Sequence, residues 1–172
     1  MTFLPATIAG TVWKLGDHVN TDILHPPAYF SLDEGKVKDG LREGMERLNA
    51  GLQKEDSTGE LVIVAGENFG CGSSRETSVR SLRLHGIRDV VARSFARIFY
   101  RSLVNLGIPP LECNVIQEWV QNGDPVHLSL AVGFIELGGT RQFPFSPLDP
   151  HIERILECGG LIPYLRREQN GI

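Results

Sequence analysis

The sequence lacks the features that mark membrane, exported and nucleic-acid-binding proteins. In 172 residues no apolar run approaches the ~18 that cross a bilayer, and the first residues lack the basic start and apolar stretch of a signal peptide. The chain has 17 Lys and Arg residues and 21 Asp and Glu residues, so its formal net charge is −4. It therefore lacks the excess of basic residues that would attract the phosphate groups of nucleic acids or membranes. We therefore expect a cytoplasmic protein with no membrane and no nucleic acid as partner.

Cysteine is also scarce. Cys71, Cys113 and Cys158 are odd in number, far apart and without a CxxC pair. We therefore expect neither a disulfide framework nor an iron–sulfur cluster built by this chain, but three reduced thiols. The histidines form no HxH or HxxxH pair, so we expect no metal site.

The patterns that are present predict one α/β domain over residues 1–172. Short apolar runs are typical of strands, and apolar residues at every third or fourth position are typical of helices. In chain order they predict strands at 7–15 and 61–66, a helix capped by Ser73 or Ser74, a strand at 89–92, a helix at 94–106, a hairpin within 126–145 and a helix at 151–158.

The stretch 31–58 is charged and polar. Its apolar residues recur every three or four positions and predict an amphipathic helix over 36–52, although four glycines in or beside it weaken that helix. We interpret this stretch as a mobile insertion, either a lid or a loop that faces a partner.

The turn Gly70-Cys71-Gly72-Ser73-Ser74-Arg75-Glu76 holds most of the candidate chemistry. Glycines permit close approach of the backbone to a ligand, and the start of the next helix points free N–H groups at it. The Arg75 guanidinium matches a carboxylate or phosphate, and a neighbouring serine could carry a proton if its alkoxide were stabilised. The turn thus predicts an anion site with a candidate base; a tight turn before a well-capped helix is the alternative without function.

Four ordered stretches resemble the swivelling domain of aconitases, and most closely the small subunits of isopropylmalate isomerases and homoaconitases. They are Gly66 to Glu76, Asn20-Thr21-Asp22 followed by Pro26, Ala92 to Arg101, and Leu156 to Leu165. The resemblance implies a swivelling β/β/α domain and a separate large subunit that carries a [4Fe–4S] cluster. It also implies that the two chains together dehydrate and rehydrate a hydroxy di- or tricarboxylic acid.

The resemblance further implies roles for four residues. Ser73 would be the catalytic base that removes the proton next to a carboxylate. Ser74 would stabilise the charge on Ser73 and the substrate, and Arg75 would hold a substrate carboxylate. Asp22 would support a catalytic histidine on the cluster-bearing side.

The sequence also departs from the family. Small subunits of isopropylmalate isomerases usually read PARYL where this chain has Pro26-Pro27-Ala28-Tyr29-Phe30, so Ala28 stands in place of the arginine. We expect Arg42 and Arg47 to be solvated helix charges; the alternative is that one of them replaces the missing arginine. Arg93, Arg97 and Arg101 lie four residues apart on one helix, and this stripe is either solvated or paired with acids, or it faces substrate or partner.

These departures leave several functions open. We expect a 3-isopropylmalate dehydratase small subunit; a homoaconitase or a dimethylmaleate- or methylmalate-type hydratase small subunit is the alternative. From a different class, a non-catalytic anion-binding regulatory module is the second hypothesis, which the loss of arginine at Ala28 favours.

Overall fold

The computed structural model describes residues 7–48, 60–72 and 75–169. Their strands are β1 (Thr7–Lys14), β2 (Glu60–Ala65), β3 (Ile87–Ala92), β4 (Pro110–Glu112), β5 (Pro125–Ser129), β6 (Phe134–Leu137) and β7 (Arg141–Pro144). Their α-helices are α1 (Thr21–Leu24), α2 (Glu34–Arg47), α3 (Glu76–Leu84), α4 (Arg97–Asn105), α5 (Ile116–Trp119), α6 (Pro150–Glu157) and α7 (Leu161–Gln169), with a 3-10 turn at Pro27–Tyr29.

The strands form one mixed sheet in the order β4-β3-β2-β1-β5-β6-β7. From β4 to β1 all neighbours are parallel, and from β1 to β7 all neighbours are antiparallel. The apolar run of β2 is buried along five of its six residues, as a strand covered on both faces requires. The predicted α/β class is therefore confirmed, and so is the predicted hairpin of β6 and β7.

Alternate residues of the parallel strands point into two apolar clusters, one on each face of the sheet. Ile63 and Val90 belong to the cluster beneath helices α1 to α4, whereas Val64 and Val91 belong to the cluster on the opposite face. Burying a side chain of this size contributes about 1.5–3 kcal/mol to folding. This alternation fixes the register of the sheet, since a slip by one residue would exchange the two faces.

Helix α2 occupies the first part of the charged stretch and packs against α1 and α3. Asp33 caps its start by accepting from the Lys36 N–H at 2.8 Å, and Val37, Leu41 and Met45 are buried. A Cβ on Gly44 would overlap the carbonyl of Leu24. Glycine at position 44 therefore allows α1 and α2 to pack closely.

Residues 49–59, which hold the rest of the predicted helix and of the predicted insertion, lie outside the described residues.

Three local expectations were wrong. The helix after β3 begins at Arg97, because residues 94–96 run extended beside Phe69 and donate and accept backbone hydrogen bonds with it. Helix α3 has Arg75 at its N-cap position and no side-chain cap, so neither serine is the N-cap there. Helix α7 was not predicted.

No helix among the described residues is long and apolar enough to span a bilayer.

Candidate active site

The site lies where the parallel strands β1, β2 and β3 end. The N–H of His18 donates to the Glu67 carbonyl at 2.7 Å, and the N–H of Gly70 donates to the Val19 carbonyl at 3.0 Å. The N–H of Thr21, the first residue of α1, donates to the Cys71 carbonyl at 2.8 Å. The loop after β1 is thus bonded along its length to the glycine-rich turn after β2.

The loop after β3 holds the other side of the same turn. The N–H of Phe69 donates to the Ser94 carbonyl and the N–H of Ala96 to the Phe69 carbonyl, both at 2.9 Å. The Ser94 hydroxyl accepts from the Asn68 N–H, also at 2.9 Å. The Phe69 ring is fully buried and meets the Phe99 ring edge-on at 5.3 Å. Ligand sites favour this carboxyl edge of parallel strands, and here three loops brace one another to build it.

Two glycines make this bracing possible. Gly70 has φ 80° and Gly72 has φ 104°, in the region that side chains with a Cβ rarely adopt. A Cβ on Gly70 would overlap the Phe99 ring, and one on Gly72 would overlap the Asn20 amide. Asn20 itself caps α1, accepting at Oδ1 from the Asp22 N–H at 2.7 Å. The turn and the start of α1 are therefore packed together.

Of the four residues assigned by resemblance, the structure describes two. Asp22 is part-buried on α1, next to the residue that bonds the glycine-rich turn. Arg75 is exposed at the start of α3. Ser73 and Ser74 lie outside the described residues, in the chain between Gly72 and Arg75.

Arg75 is supported by an aromatic side chain that the sequence did not single out. Its Cζ lies 4.3 Å from the centre of the Phe30 ring, within the range of a cation–π contact. Phe30 stacks in turn on the imidazole of His25, with centroids 5.5 Å apart and planes 17° from parallel. The only signal in the sequence was that Phe30 stands where the family pattern PARYL has leucine.

His25 fixes this group to helix α2. The residue is fully buried, and its Nε2 lies 3.0 Å from the Val37 carbonyl. Burial lowers the pKa of His25, although the hydrogen bond to Val37 opposes the shift. The neutral ring therefore donates from Nε2 and carries no charge that would repel Arg75.

An open cavity of about 380 Å³ lies beside the turn. Its described lining combines the turn residues Gly70, Gly72 and Arg75 with the start of α4, namely Arg97, Ile98 and Phe99, together with Asn68, Ala96 and Ser102. The lining thus has two arginines, an apolar wall and no acidic side chain among its described residues. Such a cavity suits a small anion with an apolar substituent.

The two candidate replacements for the missing arginine lie elsewhere. Arg42 pairs with Asp39 at 3.0 Å, and Arg47 pairs with Glu43, all on helix α2. Glu43 also accepts from the Tyr29 hydroxyl at 2.5 Å, which raises the pKa of the phenol and lowers the pKa of the carboxyl. Neither Arg42 nor Arg47 is among the described lining residues of the cavity.

The three thiols are free and dispersed. Cys71 lies in the turn, where its thiol donates to the His18 carbonyl at 3.3 Å; Cys113 is buried in the opposite cluster, and Cys158 follows α6. Within the described residues, no group of three or more His, Cys, Asp and Glu side chains is placed to hold a metal ion.

Comparison with known proteins agrees with this architecture. The sequence profile described as "Aconitase C-terminal domain" matches residues 30–115, which include Arg75 and the start of α4. The 3-isopropylmalate dehydratase small subunit 1 of Thermotoga maritima is 38% identical, over 93% of this chain and 95% of that one. The chain belongs to the aconitase C-terminal domain family.

Other relatives of this aconitase C-terminal domain carry related names. The isopropylmalate/citramalate isomerase small subunit of Methanocaldococcus jannaschii is 40% identical, over 94% of this chain and 95% of that one. A crystal structure of 3-isopropylmalate dehydratase from the same organism superposes with a TM-score of 0.84 at 36% identity, covering 95% of this chain and 96% of that one. The swivelling-domain fold expected from the resemblance is therefore confirmed.

Proposed function

We propose that this chain is the small subunit of a two-chain hydro-lyase, a 3-isopropylmalate dehydratase. The observation that carries the proposal is the cavity at the strand ends, where Arg75 and the glycine-rich turn meet an apolar wall. A 2-hydroxy dicarboxylate with a branched alkyl group has charges for the guanidinium and a hydrocarbon part for the wall. The names of relatives at 34–40% identity support the same substrate class.

Three residues of the turn have a part in the proposed reaction. Arg75 holds a substrate carboxylate in a bidentate, charge-assisted contact. The Ser73 side chain, as its alkoxide, takes the proton from the carbon beside that carboxylate and becomes a neutral hydroxyl. Ser74 stabilises the negative charge on the alkoxide and, after proton transfer, on the substrate. Serine is a weak base in water, so it needs a closed and preorganised setting, which a second polypeptide would complete.

We infer that this second polypeptide is a large subunit that carries a [4Fe–4S] cluster. The thiols of this chain do not fit a cluster, because Cys113 is buried in one core cluster while Cys71 and Cys158 lie in separate turns. In the large subunit such a cluster would supply a Lewis-acidic iron for the departing hydroxyl group. The part of this chain is to bind the carboxylate and move the proton, and Asp22 would support a histidine of the large subunit. We expect the assembled enzyme in the cytoplasm.

The Ser73→Ala variant tests the proposal. We expect it to assemble with the large subunit as the natural chain does, but to reduce turnover by at least about 100-fold, because general base catalysis contributes about 10²–10⁴. Turnover would be followed anaerobically by the absorbance of the unsaturated acid. Full activity in the assembled variant would remove Ser73 from the mechanism.

A 2-methylmalate (citramalate) hydratase is the second candidate. It is favoured by the Methanocaldococcus jannaschii relative, whose name joins isopropylmalate and citramalate. Both acids have two carboxylates and differ in the alkyl group, so the same turn would serve either. A substrate panel with both acids separates the candidates, and carboxylate binding by the isolated chain without turnover in any complex would instead support the regulatory module.

A further inference from the structure

The arginines at 93, 97 and 101 recur at intervals of four residues, but the structure puts them in different surroundings. Arg93 precedes α4 and pairs with Glu118 at 3.1 Å. Arg97 is the first residue of α4 and lines the cavity beside the glycine-rich turn. Arg101, one helical turn further on, is exposed and is not among the described lining residues. Only Arg97 of the three therefore shares a cavity with Arg75.

The position of Arg97 is fixed by the turn itself. The residue before it, Ala96, donates its N–H to the carbonyl of Phe69 at 2.9 Å. Two residues after it, Phe99 is buried against Phe69 and Gly70. The start of α4 is thus held on both sides by the segment that leads to Arg75.

The charge of Arg97 is available for a ligand. The Arg97 side chain is exposed and forms no ion pair with any side chain in the described ranges. The Arg42, Arg47 and Arg93 side chains, in contrast, are each paired with a carboxylate. Two arginines, each bearing a guanidinium group, therefore line one cavity whose described lining holds no acidic side chain.

Two such groups match two carboxylates. Arg75 accounts for one carboxylate of the proposed substrate, and Ala28 stands where the PARYL pattern of the resembled family implies a further arginine. We propose that Arg97 binds the second carboxylate of the substrate and so provides the cation that position 28 lacks. Ile98, 57% exposed beside it, then presents apolar surface to the alkyl substituent. This assignment rests on the proposed function, since it requires a dicarboxylate with an alkyl group.

The test compares Arg97→Gln with Arg101→Gln in the reconstituted two-chain enzyme. The control removes an equal charge from the same helix, one turn away from the cavity. We expect Arg97→Gln to raise the KM for 3-isopropylmalate by about tenfold or more, the effect of losing a charge-assisted hydrogen bond, with kcat changed far less. Arg97→Lys should recover part of the loss, and Arg101→Gln should leave KM within about twofold, as expected of a solvated surface charge.

A second measurement separates carboxylate binding from a general effect. Calorimetry on the two-chain complex would compare the binding of 3-isopropylmalate with that of an analogue in which the carboxylate assigned to Arg97 is replaced by a methyl group. The natural enzyme should lose affinity for the analogue, whereas Arg97→Gln should bind both ligands almost equally. Gel filtration of the complexes shows whether assembly has changed.

The outcomes distinguish this inference from the proposed function. If the natural pair turns over and Arg97→Gln behaves like Arg101→Gln, the inference is overturned while the function stands. If Arg97→Gln instead impairs assembly and leaves KM intact, Arg97 contacts the partner and the inference is again overturned. If the natural pair binds 3-isopropylmalate without turnover and only Arg97→Gln weakens that binding, Arg97 is supported while the hydro-lyase proposal fails.

Discussion

At the scale of single residues, Arg75, the proposed ligand of a substrate carboxylate, is supported by an aromatic ring. Arg75 lies over Phe30 at 4.3 Å, and Phe30 stacks on the buried and neutral His25. A cation–π contact at an exposed site contributes about 0.5–1 kcal/mol, and it restricts the guanidinium without neutralising it. This arrangement keeps the charge of Arg75 available for a carboxylate.

Replacing Phe30 by leucine should loosen Arg75. Because about 0.5–1 kcal/mol of orientation is lost, we expect KM in the assembled enzyme to rise about two- to fivefold with kcat little changed. Phe30→Tyr keeps the ring and should retain a KM close to that of the natural chain. Equal KM values for the leucine and tyrosine variants would show that the ring does not position Arg75.

Asp89 is a second residue whose surroundings have a measurable effect, in this case on the pKa of its carboxyl group. It is fully buried on β3, and neither carboxyl oxygen has a hydrogen-bond partner among the described residues. Burial raises the pKa of Asp89 to about 8; the nearby Arg88 opposes the shift and Glu60 adds to it. The folded protein therefore keeps a proton on Asp89 that the unfolded chain has lost above a pH of about 4.

The sign of the pH dependence follows from that proton. Between the unfolded pKa of about 4 and the folded value, the free energy of unfolding falls as pH rises, by up to about 1.4 kcal/mol per pH unit. We expect Asp89→Asn to be more stable than the natural chain at pH 8 by at least about 1 kcal/mol, and this gain to vanish near pH 4. Urea unfolding across this range measures it.

The matched control for Asp89 is Glu153→Gln, which removes an exposed carboxyl from α6. Its stability difference from the natural chain should stay flat across the same pH range. An Asp89→Asn profile as flat as this control would contradict a protonated, buried Asp89.

At the scale of elements, sequence periodicity predicted much of the framework and failed where tertiary contacts decide. The strands β1 to β3 and the hairpin followed from apolar runs, alternation and paired glycines. The segment 94–96 has the apolar spacing of a helix, but its backbone forms hydrogen bonds with Phe69 instead. This long-range pairing cannot be inferred from the local sequence. Helix α7 was missed because it contains Pro163, and proline inside a sequence segment usually argues against a helix. Pro163 lies in the first turn of α7, where proline is tolerated.

The glycines of α2 illustrate the same limit. By helix propensity alone, Gly44 costs up to about 1 kcal/mol relative to alanine, which predicts that alanine would stabilise the helix. In the fold, a Cβ at that position would overlap the carbonyl of Leu24 on α1, which is backbone and cannot rotate away. Contact between two helices therefore decides the residue.

The variants Gly44→Ala and Gly35→Ala test this packing. Gly35 is exposed on the same helix, and its Cβ would meet only the Asp33 Oδ1, at 3.3 Å. We expect Gly44→Ala to reduce the free energy of unfolding by about 1–3 kcal/mol, as in an overpacked core, whereas Gly35→Ala should be neutral or slightly stabilising. The midpoints of urea unfolding of the two variants measure this difference. Equal midpoints for Gly44→Ala and Gly35→Ala would show that α1 and α2 are not in close contact at Gly44.

At the scale of the whole molecule, the site belongs to the parallel half of the sheet. The loop after β2 forms the turn, and the loops after β1 and β3 brace it. The two cavity-lining arginines lie at the starts of α3 and α4. The motif order in the sequence was enough to predict the family, whereas the role of Arg75 stays a prediction. The sequence did not single out Phe30, or Arg97 among three spaced arginines, because only the folded chain brings residues 30, 75 and 97 to one place.

The most direct test of the account is anaerobic turnover of 3-isopropylmalate by this chain, by a cluster-loaded large subunit, and by both together. If this chain is the small subunit of a two-chain dehydratase, the unsaturated acid forms only when both chains are present. Turnover by the large subunit alone, or none by a complex that assembles with an intact cluster across isopropylmalate and citramalate, would contradict it.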